Sequence, residues 1–304
     1  MIGGFDVVTF GGAVVDVFLD TDLAETKGKL CYNVGEKILV KNVRFDVGGG
    51  ATNTGVAFAR LGLRTGSIIK IGDDDNGQRI LNNLRSEGVK FLGRIEKGKN
   101  SGYSVILDSR EHDRTILTYK GVNDEIILND VRRFRTKWLY LSSLLEKSFK
   151  TQLKLAELLK KKGIKIAFNP SAYQIKKMNI KPLLKICDII VLNKEEAQIL
   201  VKGKSLPDLL KNIHSLGVRI VVITDKNKRV GCYDGNRMYT IKPHENVKVV
   251  ERTGAGDAFA SGFVAGQIVG MSIDESLELA LKESESVLGH FGAKNNLLNM
   301  NIKR

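Results

Sequence analysis

Between Thr253 and Phe259 the chain reads Thr253-Gly254-Ala255-Gly256-Asp257-Ala258-Phe259, and an apolar pattern with helical spacing follows through Gly262, Phe263 and Val264. Three residues with little or no side chain thus precede a carboxylate at the start of a helix. Such a loop lets several backbone N–H groups converge on one point, where the helix dipole also favours negative charge. The chemistry on offer is the holding of an anion. A carboxylate among anion-binding amides needs a separate task, and the one open to Asp257 is to take a proton. Taken alone, the same residues equally describe a glycine-rich turn with Asp257 as a helix cap.

Other polar groups stand where strands give way to helices. Val47 to Gly62 opens with Gly48, Gly49 and Gly50 and continues as an amphipathic helix with Asn53 in its first turn. The glycines allow backbone to approach a ligand closely, and Asn53 offers both a donor and an acceptor. The Lys-Ser/Thr of a Walker loop is missing, so these glycines suit an uncharged polyol better than a triphosphate. Asp16 comes just past the turn Gly11-Gly12 that ends a first buried strand, Phe5 to Phe10. In open α/β sheets ligands gather beyond the carboxyl ends of strands, which gives Asp16 a hydroxylated substrate to bind, or only solvent. Asn193-Lys194-Glu195-Glu196 joins a strand to a helix, so that Asn193 and Glu196 can arrange water around Mg²⁺, with Glu196 as a capping-box residue the alternative. Thr224 ends the next strand. Asp73, Asp74 and Asp75 read as caps and dipole partners of a helix from Gln78 to Ser86 rather than as metal ligands.

These residues need a scaffold, and the rest of the chain describes one. Its 304 residues are 42% hydrophobic and 27% charged, an ordinary globular composition. No apolar run approaches a membrane span and no signal layout opens the chain, which points to a cytoplasmic protein. Cys31, Cys187 and Cys232 are too scattered for a disulfide framework or, with four histidines, for a His/Cys metal site. The net charge of +14 favours phosphorylated small molecules; its lysines are dispersed without aromatic interleaving, which argues against nucleic acid. From Trp138 onward strands and helices alternate, as in a parallel sheet covered on both faces: strands Ile164 to Asn169, Asp188 to Asn193 and Val218 to Thr224 among them. An earlier strand is expected from Thr65 to Ile71. Two strand-rich stretches, about 17–46 and 100–120, interrupt this order and suggest a small β flap over the site. Its uncovered face hints at a dimer. With neither repeat nor linker, residues 1–304 form one expected domain.

Several segments in order, across nearly the whole chain, resemble the ribokinase-like (PfkB) family of sugar and nucleoside kinases. Glu251-Arg252-Thr253-Gly254-Ala255-Gly256-Asp257-Ala258-Phe259-Ala260-Ser261-Gly262-Phe263 looks like the family's C-terminal signature, and Gly48-Gly49 through Asn53 to Leu61-Gly62 like its N-terminal one. Asn193-x-x-Glu196 and Asp16 match two further positions. The resemblance implies a three-layer α/β/α sandwich with a mostly parallel central sheet and a β lid, here the two flap stretches, through which a homodimer would form. It implies an ATP- and Mg²⁺-dependent transfer of a phosphoryl group to a hydroxymethyl oxygen of a sugar or nucleoside. Asp257 would be the base and the amides of Gly254, Ala255 and Gly256 the phosphoryl hole. Asp16, Gly48, Gly49 and Asn53 would bind the acceptor; Asn193 and Glu196 would arrange Mg²⁺ and phosphates, with Thr224 beside the nucleotide.

Four departures from the pattern stand out. Glu251 replaces a frequent Asp in a region that binds K⁺ in some members, which weighs against K⁺ activation. Arg252 adds a cation beside the anion loop. Asp225 to Arg229 interrupts the usual glycines after Thr224, and Lys282-Glu283-Ser284-Glu285 occupies a helix that often lines the adenine pocket. The last two also motivate a different reading, a sugar or nucleotide sensor without catalysis. Arg114 and Glu146 are further candidate substrate contacts.

Overall fold

The computed structural model describes residues 4–21, 29–108, 114–226, 228–245, 247, 249–250 and 252–302. The turn of the second flap stretch, residues 109–113, and Glu251 lie outside them. β1 (Phe5–Phe10) is buried along its whole length, and β2 (Val14–Asp20) follows after Gly11 and Gly12. β3 (Asn42–Gly48) runs directly into α1 (Gly50–Arg60). The expected strand from Thr65 to Ile71 is two strands, β4 (Thr65–Ile68) and β5 (Lys70–Gly72), because β4 pairs with β1 while β5 leaves that sheet. α2 (Asp75–Ser86) comes next, capped by Asp74, whose carboxylate accepts from Gly77 N at 2.8 Å and Ser101 Oγ at 2.6 Å. That is the structural role expected of the acidic triplet. β6 (Lys90–Phe91), β7 (Arg94–Glu96), β8 (Gly102–Asp108) and β9 (Arg114–Tyr119) complete the first part, with β7 the partner of β5.

The second part alternates: β10 (Thr136–Ser142), α3 (Glu146–Lys160), β11 (Lys165–Asn169), α4 (Ala172–Lys177), α5 (Lys181–Leu184), β12 (Ile189–Asn193), α6 (Lys194–Leu200), α7 (Leu206–His214) and β13 (Ile220–Thr224). A hairpin of β14 (Val230–Tyr233) and β15 (Met238–Ile241) precedes the two long helices α8 (Ala255–Val269) and α9 (Ile273–Leu288).

Nine strands form the central sheet in the order β15-β14-β13-β12-β11-β10-β1-β4-β6. Every pairing from β6 to β13 is parallel and only the hairpin is antiparallel. Side chains alternate across a strand, so the buried strands feed two cores. Val8, Phe10, Leu139, Leu141 and Leu192 pack with Phe149, Leu183 and Leu209 from α3, α5 and α7. Val7, Trp138, Tyr140 and Val191 pack on the other face with Phe58, Phe263 and Leu277 from α1, α8 and α9. The result is the three-layer α/β/α sandwich. Gly262 permits α8 and α9 to touch, since a Cβ there would lie 2.8 Å from the Ala280 Cα.

A separate four-stranded sheet, β3-β2-β8-β9, is built from the two flap stretches. It begins at Val14, so Asp16 lies within a strand and not in a loop past the turn, directly across from Asp46 on β3 and Ser104 on β8. Lys37 to Val40, which alternate like a strand, remain outside it. Among the described residues no helix is long and apolar enough to cross a membrane, and all three cysteines are free.

Candidate active site

β1, β10, β11, β12 and β13 all end on one side of the parallel sheet. There, with the small sheet as its other wall, opens a cleft of about 1080 Å³. Of the residues singled out from the sequence, Asp16, Gly49, Asn53, Asn193, Glu196, Thr224, Gly254, Gly256 and Asp257 line it. Gly48 and Ala255 do not. Gly48 is buried against the side chain of Asp16, and its carbonyl accepts from Thr52 Oγ1 at 2.5 Å. Ala255 packs into the core beneath, its N–H lies 3.4 Å from the Arg252 carbonyl, and its own carbonyl accepts from Ser284 Oγ at 3.0 Å.

The N-terminus of α8 forms one end of the cleft. Gly254 is its cap residue in the left-handed region (φ 80°), and a Cβ there would lie 2.5 Å from the Ala293 Cα. Being a glycine, this cap residue offers no side-chain cap bond. First-turn N–H groups have no intrahelical acceptor, so those of Gly256 and Asp257 are available to a ligand. Gly256 leaves the approach open, since a Cβ on it would meet nothing within 4 Å. Asp257 is therefore not the cap. Its Oδ2 accepts from Asn53 Nδ2 at 2.9 Å. Burial pushes its pKa up from 3.8 to about 6, against the opposing pull of the Asn53 hydrogen bond and the Lys294 charge. A carboxylate in that state is charged at neutral pH and still basic enough to take a proton in passing.

Asn53 reaches this point because β3 turns into α1 at Gly49. The φ of Gly49 is +99°, and a Cβ there would lie 2.5 Å from the Gly12 carbonyl oxygen. The turn packs tightly on the end of β1, and the first turn of α1 then faces the first turn of α8. Asp16 looks into the same end of the cleft from the small sheet, with Val14, Ser104, Ile106, Ile116 and Thr118.

Asn193, Glu196 and Thr224 line the other end. Asn193 caps α6: its Oδ1 accepts from Glu196 N at 2.8 Å, and Asn193 N donates to Glu196 Oε2 at 2.9 Å. The capping box is thus real, and it coexists with a place on the cleft wall. Burial raises the Glu196 pKa, with the amides of Asn193 and Ala172 opposing. Carboxylate and carboxamide oxygens with lone pairs left over fit the water shell of a Mg²⁺ ion, which is bound mostly through water and substrate phosphates. The described residues hold no cluster of three His, Cys, Asp or Glu side chains. The segment after Thr224 is tied down by ion pairs from Lys194 to Asp225 at 2.8 Å and from Lys226 to Glu195 at 3.0 Å.

Glu146 and Arg252 are exposed and absent from the cleft wall, and the side chain of Arg114 lies outside what the structure describes. Glu146 instead begins α3, and the side chain of Glu283 is fully buried between α9 and the C-terminal segment, where it accepts from Leu298 N at 3.0 Å. Sequence reasoning passed over Lys120, Asn123, Ser142 and Asn169, all on the cleft wall. Ser142 and Asn169 carry the signal that identified Asn193 and Thr224, a polar residue closing an apolar strand. Asn123 had no such signal; it is buried and grips both the N–H (2.8 Å) and the carbonyl (2.9 Å) of Ala13.

A family model described as pfkB family carbohydrate kinase matches residues 6–300. A ribokinase of Lactococcus lactis subsp. lactis (strain IL1403) is 28% identical over 278 residues, 86% of this chain and 86% of the relative. A cytidine kinase of Thermococcus kodakarensis is 34% identical over 260 residues, 81% of this chain and 88% of the relative. Among solved structures, an Arabidopsis thaliana ribokinase complexed with ribose and ATP superposes with a TM-score of 0.80 at 20% identity, covering 98% of this chain and 96% of that one.

Proposed function

The chain belongs to the pfkB family of carbohydrate kinases and is a phosphotransferase with an alcohol acceptor; we propose that it transfers the γ-phosphoryl group of ATP to a hydroxymethyl oxygen of a sugar or nucleoside. One observation carries this reading: the Asp257 carboxylate sits among the first-turn amides of α8, with acceptor-type groups beside it and Asn193, Glu196 and Thr224 along the same cleft.

Phosphoryl transfer asks a protein chiefly to position reactants and stabilise charge. Asp16, Asn53 and the backbone at Gly49 hold the acceptor hydroxyls, with Gly48 behind them letting the strand pack against Asp16. Asp257 takes the proton of the attacking hydroxyl, and the Asn53 hydrogen bond keeps its carboxylate aimed. The amides at Gly254, Ala255 and Gly256 receive the negative charge of the moving phosphoryl group without the desolvation penalty of a buried ammonium; the Ala255 N–H turns from the Arg252 carbonyl to do so. Asn193 and Glu196 hold the water shell of Mg²⁺, which neutralises phosphate charge when bound, and Thr224 lies by the nucleotide. The small sheet acts as a lid, and its apolar wall of Val14, Ile106 and Ile116 suits the ring of a pentose or a base.

Incubation with Mg-ATP and a pooled panel of sugars and nucleosides, followed by mass spectrometry, tests the proposal. A phosphorylated product is expected; ligand-induced thermal stabilisation with no product from any compound overturns it in favour of a sensor. We place the enzyme in the cytoplasm, as a homodimer joined through the outer face of the small sheet, where Phe45, Leu117 and Tyr119 are more than half exposed. Sedimentation at micromolar concentration checks the latter.

A further inference from the structure

Lys294 is the least expected charge near this site. Its side chain is buried, with the residue only 3% exposed, in the segment that follows α9. Its backbone is fixed from two sides. Ala293 packs on Gly254, and Arg60 Nη1 donates to the Lys294 carbonyl at 2.9 Å while Arg60 is itself held by Glu87 at 2.6 Å. Nζ ends 3.4 Å from Asn53 Oδ1 and 3.9 Å from Asp46 Oδ1.

An ammonium has three donors and no acceptor, whereas a carboxamide presents a donor on one side and an acceptor on the other. With Lys294 on one side of Asn53, only the carboxamide oxygen can face it. The NH₂ must then face Asp257, where it donates at 2.9 Å. The reversed amide would set NH₂ against ammonium and oxygen against carboxylate, two repulsions in one move. Asp46 and Asp16 present a second need for the same cation. They lie directly opposite each other on β3 and β2, a cross-strand like-charge pair that is unfavourable by itself. Asp46 Oδ2 has no hydrogen-bond partner among the described residues.

We propose that Lys294 is a positioning residue for phosphoryl transfer: its buried ammonium fixes which way the Asn53 amide faces, so that Asn53 donates to Asp257, and it balances the Asp16 and Asp46 carboxylates at the root of the small sheet. The proposal rests on the reading of Asp257 as the base. The charged groups around Lys294 are Asp46 on β3, Asp16 on β2, Arg60 on α1 and Glu87 after α2; burial lowers its pKa and the three carboxylates resist. Around Asp257 stand Asn53 on α1, Lys294 and the buried Tyr140 on β10. Both influences that hold the Asp257 pKa down, the Asn53 hydrogen bond and the Lys294 charge, depend on Lys294.

The test is a direct titration of Asp257. Aspartate carboxyl carbons are labelled with ¹³C, the Asp257 signal is identified by its loss in Asp257→Asn, and its midpoint is measured in wild-type protein and in Lys294→Met. Loss of a nearby cation raises the midpoint by about one pH unit. Applied to turnover, that shift lowers kcat about fivefold at pH 6 and hardly at all at pH 8, on top of a pH-independent loss from the released Asn53 amide. An unchanged midpoint overturns the proposal. Should Lys294→Met fail to fold, Lys294→Gln, which keeps a donor but no charge, is titrated instead and judged by the same criterion. The NMR arm needs no substrate, so the two ideas fail separately. Wild-type protein that phosphorylates nothing refutes the kinase reading, and active wild type with an unshifted Lys294 variant refutes this one.

Discussion

Replacing Asp257 by Asn should make the protein slower and more stable at once. Asn preserves shape and can still accept from Asn53, but it cannot take a proton. A general base contributes roughly 10²- to 10⁴-fold, so kcat should fall by about that much while acceptor KM moves little. The stability effect follows from the shift itself. The folded-state pKa of about 6 lies above the ordinary 3.8, so between these values the folded state binds more protons than the unfolded one. Stability is therefore lost as pH rises through that window, and above pH 6 the folded protein bears the full penalty of a buried carboxylate. About two pH units correspond to about 3 kcal/mol at pH 8, falling to roughly half of that at pH 5. Asn bears no such penalty. Urea unfolding of both proteins at pH 8 and pH 5, with product formation measured by mass spectrometry, reads the two effects side by side. A variant that turns over like wild type refutes the base. One that is less stable than wild type at pH 8, or whose advantage does not shrink at pH 5, refutes the account of the buried charge.

Gly254→Ala puts a Cβ into the left-handed region and against Ala293; it should cost about 1–3 kcal/mol in urea unfolding and depress kcat by deforming the amide loop. Lys70→Met leaves the buried Asp130 without the ammonium now 3.2 Å away, and should destabilise by about 3–5 kcal/mol with little change in the kinetics of the surviving folded fraction. Glu283 has a pKa raised by burial to about 7, above its ordinary 4.5, so its charge destabilises the fold increasingly as pH rises through that range. Glu283→Gln should therefore be more stable than wild type at pH 8 and equal to it near pH 4, with turnover retained; equal unfolding midpoints at pH 8 would contradict this.

Much of the molecule was legible from local pattern. Apolar strands closing on polar residues, and glycine at both ends of α1 and before α8, are set by short-range backbone geometry, which sequence spacing records directly. The same applies to the Asp74 cap on Gly77 and to the Asn193–Glu196 capping box, where partners sit three positions apart. The break between β4 and β5 was not legible, because no turn residue falls between Ile68 and Lys70 to mark that the two halves pair in different sheets. Asp16 likewise reads as a loop residue until β8 and β3 are found beside it.

What tertiary structure alone decided is the electrostatic setting of the site. The sequence by itself made Asp257 a candidate base and put small residues in front of it. It said nothing of Asn53 at 2.9 Å, 204 positions away, or of Lys294 behind Asn53, or of the facing pair Asp16 and Asp46. Charge, desolvation and hydrogen-bond direction depend on distance in space, and here every group that sets the state of Asp257 comes from a different element of the chain.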